Sequence, residues 1–173
     1  VLSGLSKIAA LPQLKLAWWL ALGPPDLVRA ALARLELIAD TFLGAATPVQ
    51  RALPQIFAAT PAMQAQISRH TLANLTHLRD TCDGSPVSVL DVDAGWLALL
   101  RLPDVLMHAD PRRSGDAAWA HRLAHAGVLV QPGHLYDLSG AHLAVSLLTP
   151  APVLAAGLDR LHRAVAEVLA CEP

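Results

Sequence analysis

Lys7 is the residue near the start of the chain with the greatest potential for chemistry. Ser3, Gly4 and Ser6 precede it, and Lys15 follows eight residues later. A lysine amine can form a Schiff base with an aldehyde and transfer protons, because burial or a nearby cation can bring its pKa towards neutrality. Serine hydroxyls can donate hydrogen bonds to a phosphate, and a second cation can neutralise it. These residue types are compatible with amine chemistry beside a phosphate group, but their spacing alone does not predict it. A solvated surface lysine and plain turn serines are the alternative interpretation.

Apolar periodicity and Pro or Gly breaks predict the elements that position these residues. A nearly continuous apolar run over 14–22 is typical of a strand buried on both faces. The helix predicted over 49–58 contains Pro54, which should kink it. Thr60-Pro61 resembles a helix start, so it predicts that a separate helix begins there. The predicted elements, in chain order, are a strand within 14–22, helices over 25–44, 49–58 and 62–81, strands over 87–90 and 96–102, a helix over 116–126, strands over 128–131 and 142–148, and a helix over 153–170.

Several segments together resemble one enzyme family. The stretch Val1-Leu2-Ser3-Gly4-Leu5-Ser6-Lys7, with its downstream Lys15, resembles the cofactor-lysine segment of fold-type I pyridoxal-phosphate (PLP) aminotransferases. Residues 95–103, Gly-Trp-Leu-Ala-Leu-Leu-Arg-Leu-Pro, are similar to a family strand written G-x-F/W-x-x-x-x-L-P. Residues 128–133, Val-Leu-Val-Gln-Pro-Gly, are similar to its V-x-x-x-P-G segment, and residues 142–147 resemble its last strand. Because the cofactor lysine lies well inside the family's chains, this chain resembles their carboxyl-terminal half.

The resemblance implies an α/β fold with an α+β small domain. Residues 1–65 would form the carboxyl-terminal part of the large cofactor-binding domain, including the end of its sheet. Residues 66–173 would form the small domain, a mixed sheet with flanking helices, joined to the large domain by a long linking helix. We therefore expect the carboxyl-terminal part of the PLP-transferase fold.

The resemblance also implies a cofactor and roles for single residues. Lys7 would hold pyridoxal 5'-phosphate as a Schiff base and move a proton at the substrate Cα. Lys15 occupies the position of the family's phosphate-binding Arg, as a point charge without the bidentate fork. Ser3 and Ser6 would contact the phosphate, with the choice between them open. Thr47 aligns with a loop that reaches the partner subunit's site, and a helix N-cap explains it equally well.

Ala144 is the main departure from the family pattern. Most members carry an Arg there, which grips the α-carboxylate of the amino-acid substrate, and no Arg lies within 131–152. The carboxylate would then be held by other residues, such as His134, Tyr136 or His142. Alternatively, the substrate lacks a carboxylate. Both interpretations remain open from the sequence.

Composition limits the classes of partner. The net charge is −1 and no Lys/Arg run occurs, so nothing predicts nucleic-acid binding. Apolar residues make up 54% of the chain, but the longest apolar stretch is far too short to cross a bilayer. With no signal-like segment and with Cys82 and Cys171 lacking metal or redox spacing, we expect a cytoplasmic protein with free thiols. The apolar surplus predicts contact with a missing half or a second subunit.

The leading functional hypothesis is part of a PLP-dependent aminotransferase that passes an amino group between an amino acid or amine and a keto acid. It would be inactive alone and would form a homodimer in the complete enzyme. The alternatives are a PLP-dependent lyase or decarboxylase on the same fold, and a non-catalytic scaffold or assembly module. His121 and His125 share a helical face at a spacing that can bind zinc, but no third ligand lies at motif spacing, so no metal is expected.

Overall fold

The computed structural model describes residues 1–42, 44–103 and 115–170. The chain divides into two compact units, Val1–Gln66 (unit 1) and Ile67–Pro173 (unit 2). Each unit has its own apolar core. The two units are therefore described separately.

Unit 1 opens with a short two-stranded sheet. Strand β1 (Leu2–Gly4) pairs antiparallel with β2 (Ala17–Trp19), so that Leu2 lies opposite Trp19. Between the strands lie the one-turn helix α1 (Leu5–Ile8) and a 3₁₀ turn (Pro12–Leu14). The strand predicted over 14–22 is thus only three residues long, and both of its end residues are exposed. The prediction of burial on both faces is wrong for the described residues, because one strand pair does not provide the covering layers that such burial needs.

Two long helices follow β2. Helix α2 (Pro25–Asp40) ends four residues before the predicted end at Gly44, and it has no buried residue. Helix α3 (Thr47–Cys82) is continuous through Pro54 and Pro61, so the predicted break at Thr60-Pro61 is wrong. The Thr60 hydroxyl, which we expected to cap a new helix, instead donates to the Ile56 carbonyl one turn back at 2.7 Å. That bond belongs to a helix interior, not to a helix start.

Unit 2 is built on a four-stranded sheet. Its strands are β3 (Ser88–Val89), β4 (Leu97–Arg101), β5 (Gln131–Pro132) and β6 (His142–Ser146), in the order β3-β4-β6-β5. We predicted a mixed sheet, but every pair among these strands is antiparallel. The predicted strand over 128–131 is reduced to its last residue and Pro132. The helices of unit 2 are α4 (Asp116–His125), a 3₁₀ turn (Gly133–Tyr136) and α5 (Ala151–Ala170), with the carboxyl-terminal part of α3.

One face of this sheet forms the core of unit 2. Ala98 and Leu100 on β4 lie opposite Val145 and Leu143 on β6, and all four are buried with apolar residues of α3, α4 and α5. Because side chains alternate along a strand, the intervening residues lie on the other face. These residues are Leu97, Leu99 and Arg101 on β4 and His142, Ala144 and Ser146 on β6.

Asn74 of α3 fixes the junction between β6 and α5. Its side chain is buried, and its Nδ2 donates to the carbonyl oxygens of Leu147 at 2.9 Å and Thr149 at 2.8 Å. A buried amide that satisfies two backbone acceptors outside regular structure holds that backbone in place. The start of α5 is therefore tied to α3.

Candidate functional site

Lys7 lies on α1, directly after β1, and its side chain is exposed. The chain turns from β1 into α1, which carries Lys7, where β1 and β2 approach each other closely. A Cβ on Gly4 would lie 3.0 Å from the Leu16 carbonyl oxygen and 3.1 Å from the Ala17 Cα. Leu5 N donates to Leu16 O at 3.0 Å immediately after this contact. Gly4 thus allows the two segments to meet just before the chain turns into the helix with Lys7.

Lys15 lies at the same end of the β1–β2 pair. It directly follows the 3₁₀ turn that packs against α1, and its side chain is exposed. Its backbone has φ 50° and ψ 42°, a left-handed conformation that costs a non-glycine residue about 1 kcal/mol. The antiparallel register brings the segments with Lys7 and Lys15 together, although eight residues separate them in sequence.

The two serines lie beside this end of the pair. Ser3 is on β1 opposite Trp18, and Ser6 is on α1 next to Lys7. Both are half-buried, and neither hydroxyl has a hydrogen-bond partner among the residues that the structure describes. Thr47 is the first residue of α3 and is exposed. Its hydroxyl makes no hydrogen bond within the described part of the chain, so the alternative of a side-chain N-cap is not observed.

Unit 2 contains a second polar cluster, around Asp116 at the start of α4. The Asp116 carboxylate is only 11% exposed. It accepts hydrogen bonds from Ala117 N at 2.7 Å, from His134 N and from His134 Nδ1 at 3.1 Å. Burial alone would raise the pKa of this carboxyl, but these hydrogen bonds and the nearby imidazole outweigh it and hold the pKa below its ordinary value. Asp116 thereby joins the first turn of α4 to the 3₁₀ turn after β5.

The three residues predicted as replacements for the missing Arg differ in their surroundings. The His134 ring is half-exposed and donates to Asp116. The Tyr136 hydroxyl donates to Gln131 Oε1. The Nδ1 atom of His142 is buried and has no hydrogen-bond partner in the described part of the chain. Only His142 lies on the same face of the sheet as Ala144.

Sequence reasoning did not single out Asp116, which joins two turns of unit 2, or the position of Arg101 opposite His142. An Asp after a Gly at a helix start is a visible signal for a helix N-terminus, but its partner His134 lies 18 residues away. Arg101 ends the apolar run of β4, where period-two alternation places it on the face opposite Ala98 and Leu100. Only the strand register shows that its neighbour there is His142.

His121 and His125, the two histidines at a spacing that can bind zinc, lie together on α4. The rings of His121 and His125 meet edge to face, with their centroids 4.6 Å apart. No group of three or more His, Cys, Asp or Glu residues that could hold a metal ion occurs within 1–42, 44–103 and 115–170.

No helix within 1–42, 44–103 and 115–170 is both long and apolar enough to span a membrane.

Comparison with solved structures gives matches to several aminotransferases. Tyrosine aminotransferase from Leishmania infantum superposes with a TM-score of 0.84 at 18% identity, over 96% of this chain and 40% of that one. Alanine aminotransferase from Pyrococcus furiosus gives 0.77 at 20% identity, over 96% and 42%. Aspartate aminotransferase from Thermus thermophilus with maleate gives 0.69 at 21% identity, over 94% and 40%. No family model and no curated protein sequence matches the chain.

These matches confirm the predicted fold class. The chain has the aminotransferase fold over about 40% of the length of the proteins it matches, which is consistent with a carboxyl-terminal half.

Proposed function

We propose that this chain is part of a PLP-dependent aminotransferase and supplies its cofactor lysine, Lys7. The observation that carries the proposal is that the segments with Lys7 and Lys15 lie together at one end of the β1–β2 pair, in a chain with the aminotransferase fold. A scaffold needs neither of these cations. Activity is proposed for the complete enzyme, as a homodimer, and not for these residues alone.

The residues of unit 1 fit the chemistry of the cofactor. An accessible primary amine, two hydroxyls without partners in the described residues, and an accessible second cation suit an aldehyde that also carries a phosphate. Lys15 would neutralise the phosphate, and Ser3 and Ser6 would donate hydrogen bonds to it. Lys7 Nζ would bond the cofactor and later accept the proton from the substrate Cα. Bound PLP would supply the electron sink that makes this proton acidic.

Thr47 is proposed to serve the partner subunit's site. It is exposed at the start of α3, and its hydroxyl makes no hydrogen bond within the described residues. A hydroxyl in this state is available to a group outside the chain.

Borohydride reduction after PLP addition, followed by peptide mapping, tests the proposal. Lys7 and Lys15 are the only lysines in this sequence, so within it the map decides between two side-chain amines. We expect labelling of Lys7 alone in the longest natural product that contains this chain, and none in its Lys7→Ala variant. Lys15→Ala should weaken PLP binding about tenfold or more, and Lys15→Arg should retain it, since a charged hydrogen bond contributes about 1.5–3 kcal/mol. A map with Lys7 unmodified would refute the catalytic proposal and favour the scaffold.

A lyase or decarboxylase on the same fold is the second candidate, favoured by Ala144 in place of the family's Arg. The dependence of turnover on an amino acceptor separates the two. A transaminase requires a keto acid in each cycle, whereas a lyase or decarboxylase releases product without one.

A further inference from the structure

We propose that a cavity beside α5 binds a saturated fatty acid of medium chain length, with Arg160 holding its carboxylate. The cavity has a volume of about 770 Å³, and small-molecule sites in proteins span about 300–1,000 Å³. All of the residues that line it belong to unit 2. The inference therefore does not rest on Lys7 or on the proposed function.

The cavity lies where the sheet is incomplete at its β5 edge. β5 pairs with β6 over two residues only. Continuation of that register would place Val130 opposite Val145, but residues 128–130 are not in a strand and line the cavity instead. Ala156 and Gly157 of α5 also line it, and their small size leaves the space open.

The lining is mainly apolar, which suits a hydrocarbon chain. It includes Val128, Leu129 and Val130 from the segment before β5, and Val153 from α5. Leu129 is 92% exposed and Val153 is 60% exposed, so these apolar side chains are accessible to a ligand in water. A hydrocarbon chain that covers them removes apolar surface from water, and this removal favours binding.

Arg160 provides the charge of the cavity. Among the described residues that line it, Arg160 alone is charged. Its Nη1 donates to the carbonyl oxygens of Ala126 and Gly127, each at 3.3 Å, so the guanidinium is tied to the backbone that follows α4. Its Nε and Nη2 make no hydrogen bond, and the side chain makes no ion pair, within 1–42, 44–103 and 115–170. These donors form one edge of the planar fork that matches the two oxygens of a carboxylate.

Charge complementarity selects the class of ligand. One cation in an apolar lining suits one anionic group on an apolar chain. A dicarboxylate would leave its second charge without a cation, which is unfavourable in such surroundings. An amino acid would bring an ammonium group to a cavity whose described lining has no acidic residue. A fatty acid meets neither penalty.

NMR titration of the chain with octanoate tests the proposal. Octanamide, which has the same chain without the charge, is the matched probe. We expect octanoate to shift the amide signals of Val128 and Gly157 and the Arg160 Nε–H signal. Octanamide should bind about tenfold or more weakly, and Arg160→Gln should weaken octanoate binding about 10- to 100-fold, because a charged hydrogen bond is lost. Arg163→Gln is the matched control, because Arg163 is exposed on α5 and does not line the cavity.

Two further titrations test the shape of the cavity. Decanoate should bind about tenfold more tightly than octanoate, because two more methylene groups leave water. Ala156→Leu places a larger side chain in the lining and should weaken octanoate binding about tenfold. Ala166→Leu makes the same change at an exposed position of α5 outside this lining, so it should leave octanoate binding unchanged.

Four results would overturn the inference. They are an absence of octanoate-induced shifts at the cavity, equal octanoate affinity of Arg160→Gln and Arg163→Gln, octanamide binding as tight as octanoate binding, and equal octanoate affinity of Ala156→Leu and Ala166→Leu. Arg160 and Ala156 are exposed, so their variants should fold, and thermal unfolding of each variant checks this.

Discussion

The buried carboxylate of Asp116 should be one of the main polar supports of unit 2. It accepts three hydrogen bonds, from Ala117 N, His134 N and His134 Nδ1, and its side chain is 11% exposed. In Asp116→Asn one carboxylate oxygen becomes an NH₂ group that faces a backbone N–H donor. A charge-assisted hydrogen bond contributes about 1.5–3 kcal/mol, and the displaced donor stays partly buried. We therefore expect the free energy of unfolding to fall by about 2–3 kcal/mol at pH 7.

Removal of the His134 ring should lower the free energy of unfolding much less than Asp116→Asn does. His134→Ala keeps the backbone N–H that donates to Asp116 and deletes only the ring contact. Because the ring is 53% exposed, solvent screens this contact, and we expect a loss of about 0.5–1 kcal/mol. Asp137→Asn is the matched control. It makes the same chemical change on an exposed residue whose φ of 56° suits Asn, so it should change stability by less than about 0.5 kcal/mol.

The contribution of Asp116 to stability should decrease as the pH falls. Because the hydrogen bonds hold the folded-state pKa below the unfolded-state value, ionised Asp116 stabilises the fold at every pH above about 4. This contribution is lost as the pH falls through the folded-state pKa. The difference between the parent chain and Asp116→Asn should therefore be largest at neutral pH and should shrink in strong acid.

Urea unfolding, monitored through the NMR signals of β6 amides from neutral to acid pH, measures the free energy of unfolding of the parent chain and each variant. These signals report on unit 2 alone. The reasoning would be refuted if Asp116→Asn matched Asp137→Asn in stability at pH 7. It would also be refuted if the loss from Asp116→Asn stayed undiminished below the folded-state pKa.

Two further predictions concern packing in unit 2, and the same unfolding measurement checks both. Gly133→Ala should destabilise by about 1–3 kcal/mol, because its Cβ would overlap a β6 residue, whereas Gly157→Ala should stabilise α5 by up to about 1 kcal/mol, since its nearest neighbour would be 3.9 Å away. Equal effects at the two glycines would contradict the clash. Leu161→Ala should cost about 2–5 kcal/mol, because Leu161 is 1% exposed, and Leu72→Ala, at 60% exposure, should cost less than about 0.5 kcal/mol. Similar losses at the two leucines would show that Leu161 is not part of the core.

Helix stripes were predicted best where one helix packs on one core. The helical spacing in α5 predicts one apolar stripe of Leu154, Leu158, Leu161, Val165, Val168 and Leu169. The first four are buried, and the last two are half-buried against the same core. In the long helix, the spacing of Ile67, Leu72, Leu75 and Leu78 predicts one apolar stripe. Leu75 and Leu78 belong to the core, but Ile67 is only half-buried and Leu72 is exposed. Periodicity identifies one face of a helix, but not how far along that face the neighbouring elements extend.

Local signals by themselves determined the order of the elements after α3 and the apolar stripe of α5, because these depend on residues a few positions apart. They also made Lys7, Lys15, Ser3, Ser6 and Thr47 candidates, whose roles are still predictions.

Only the tertiary structure decided that α3 continues through Pro61 and that β2 is short and exposed. It alone brought Asp116 to His134 and placed Arg101 beside His142. The reason is physical: these contacts join segments far apart in sequence, and the strand register that aligns them is set by burial of one sheet face against three helices, which no local pattern specifies.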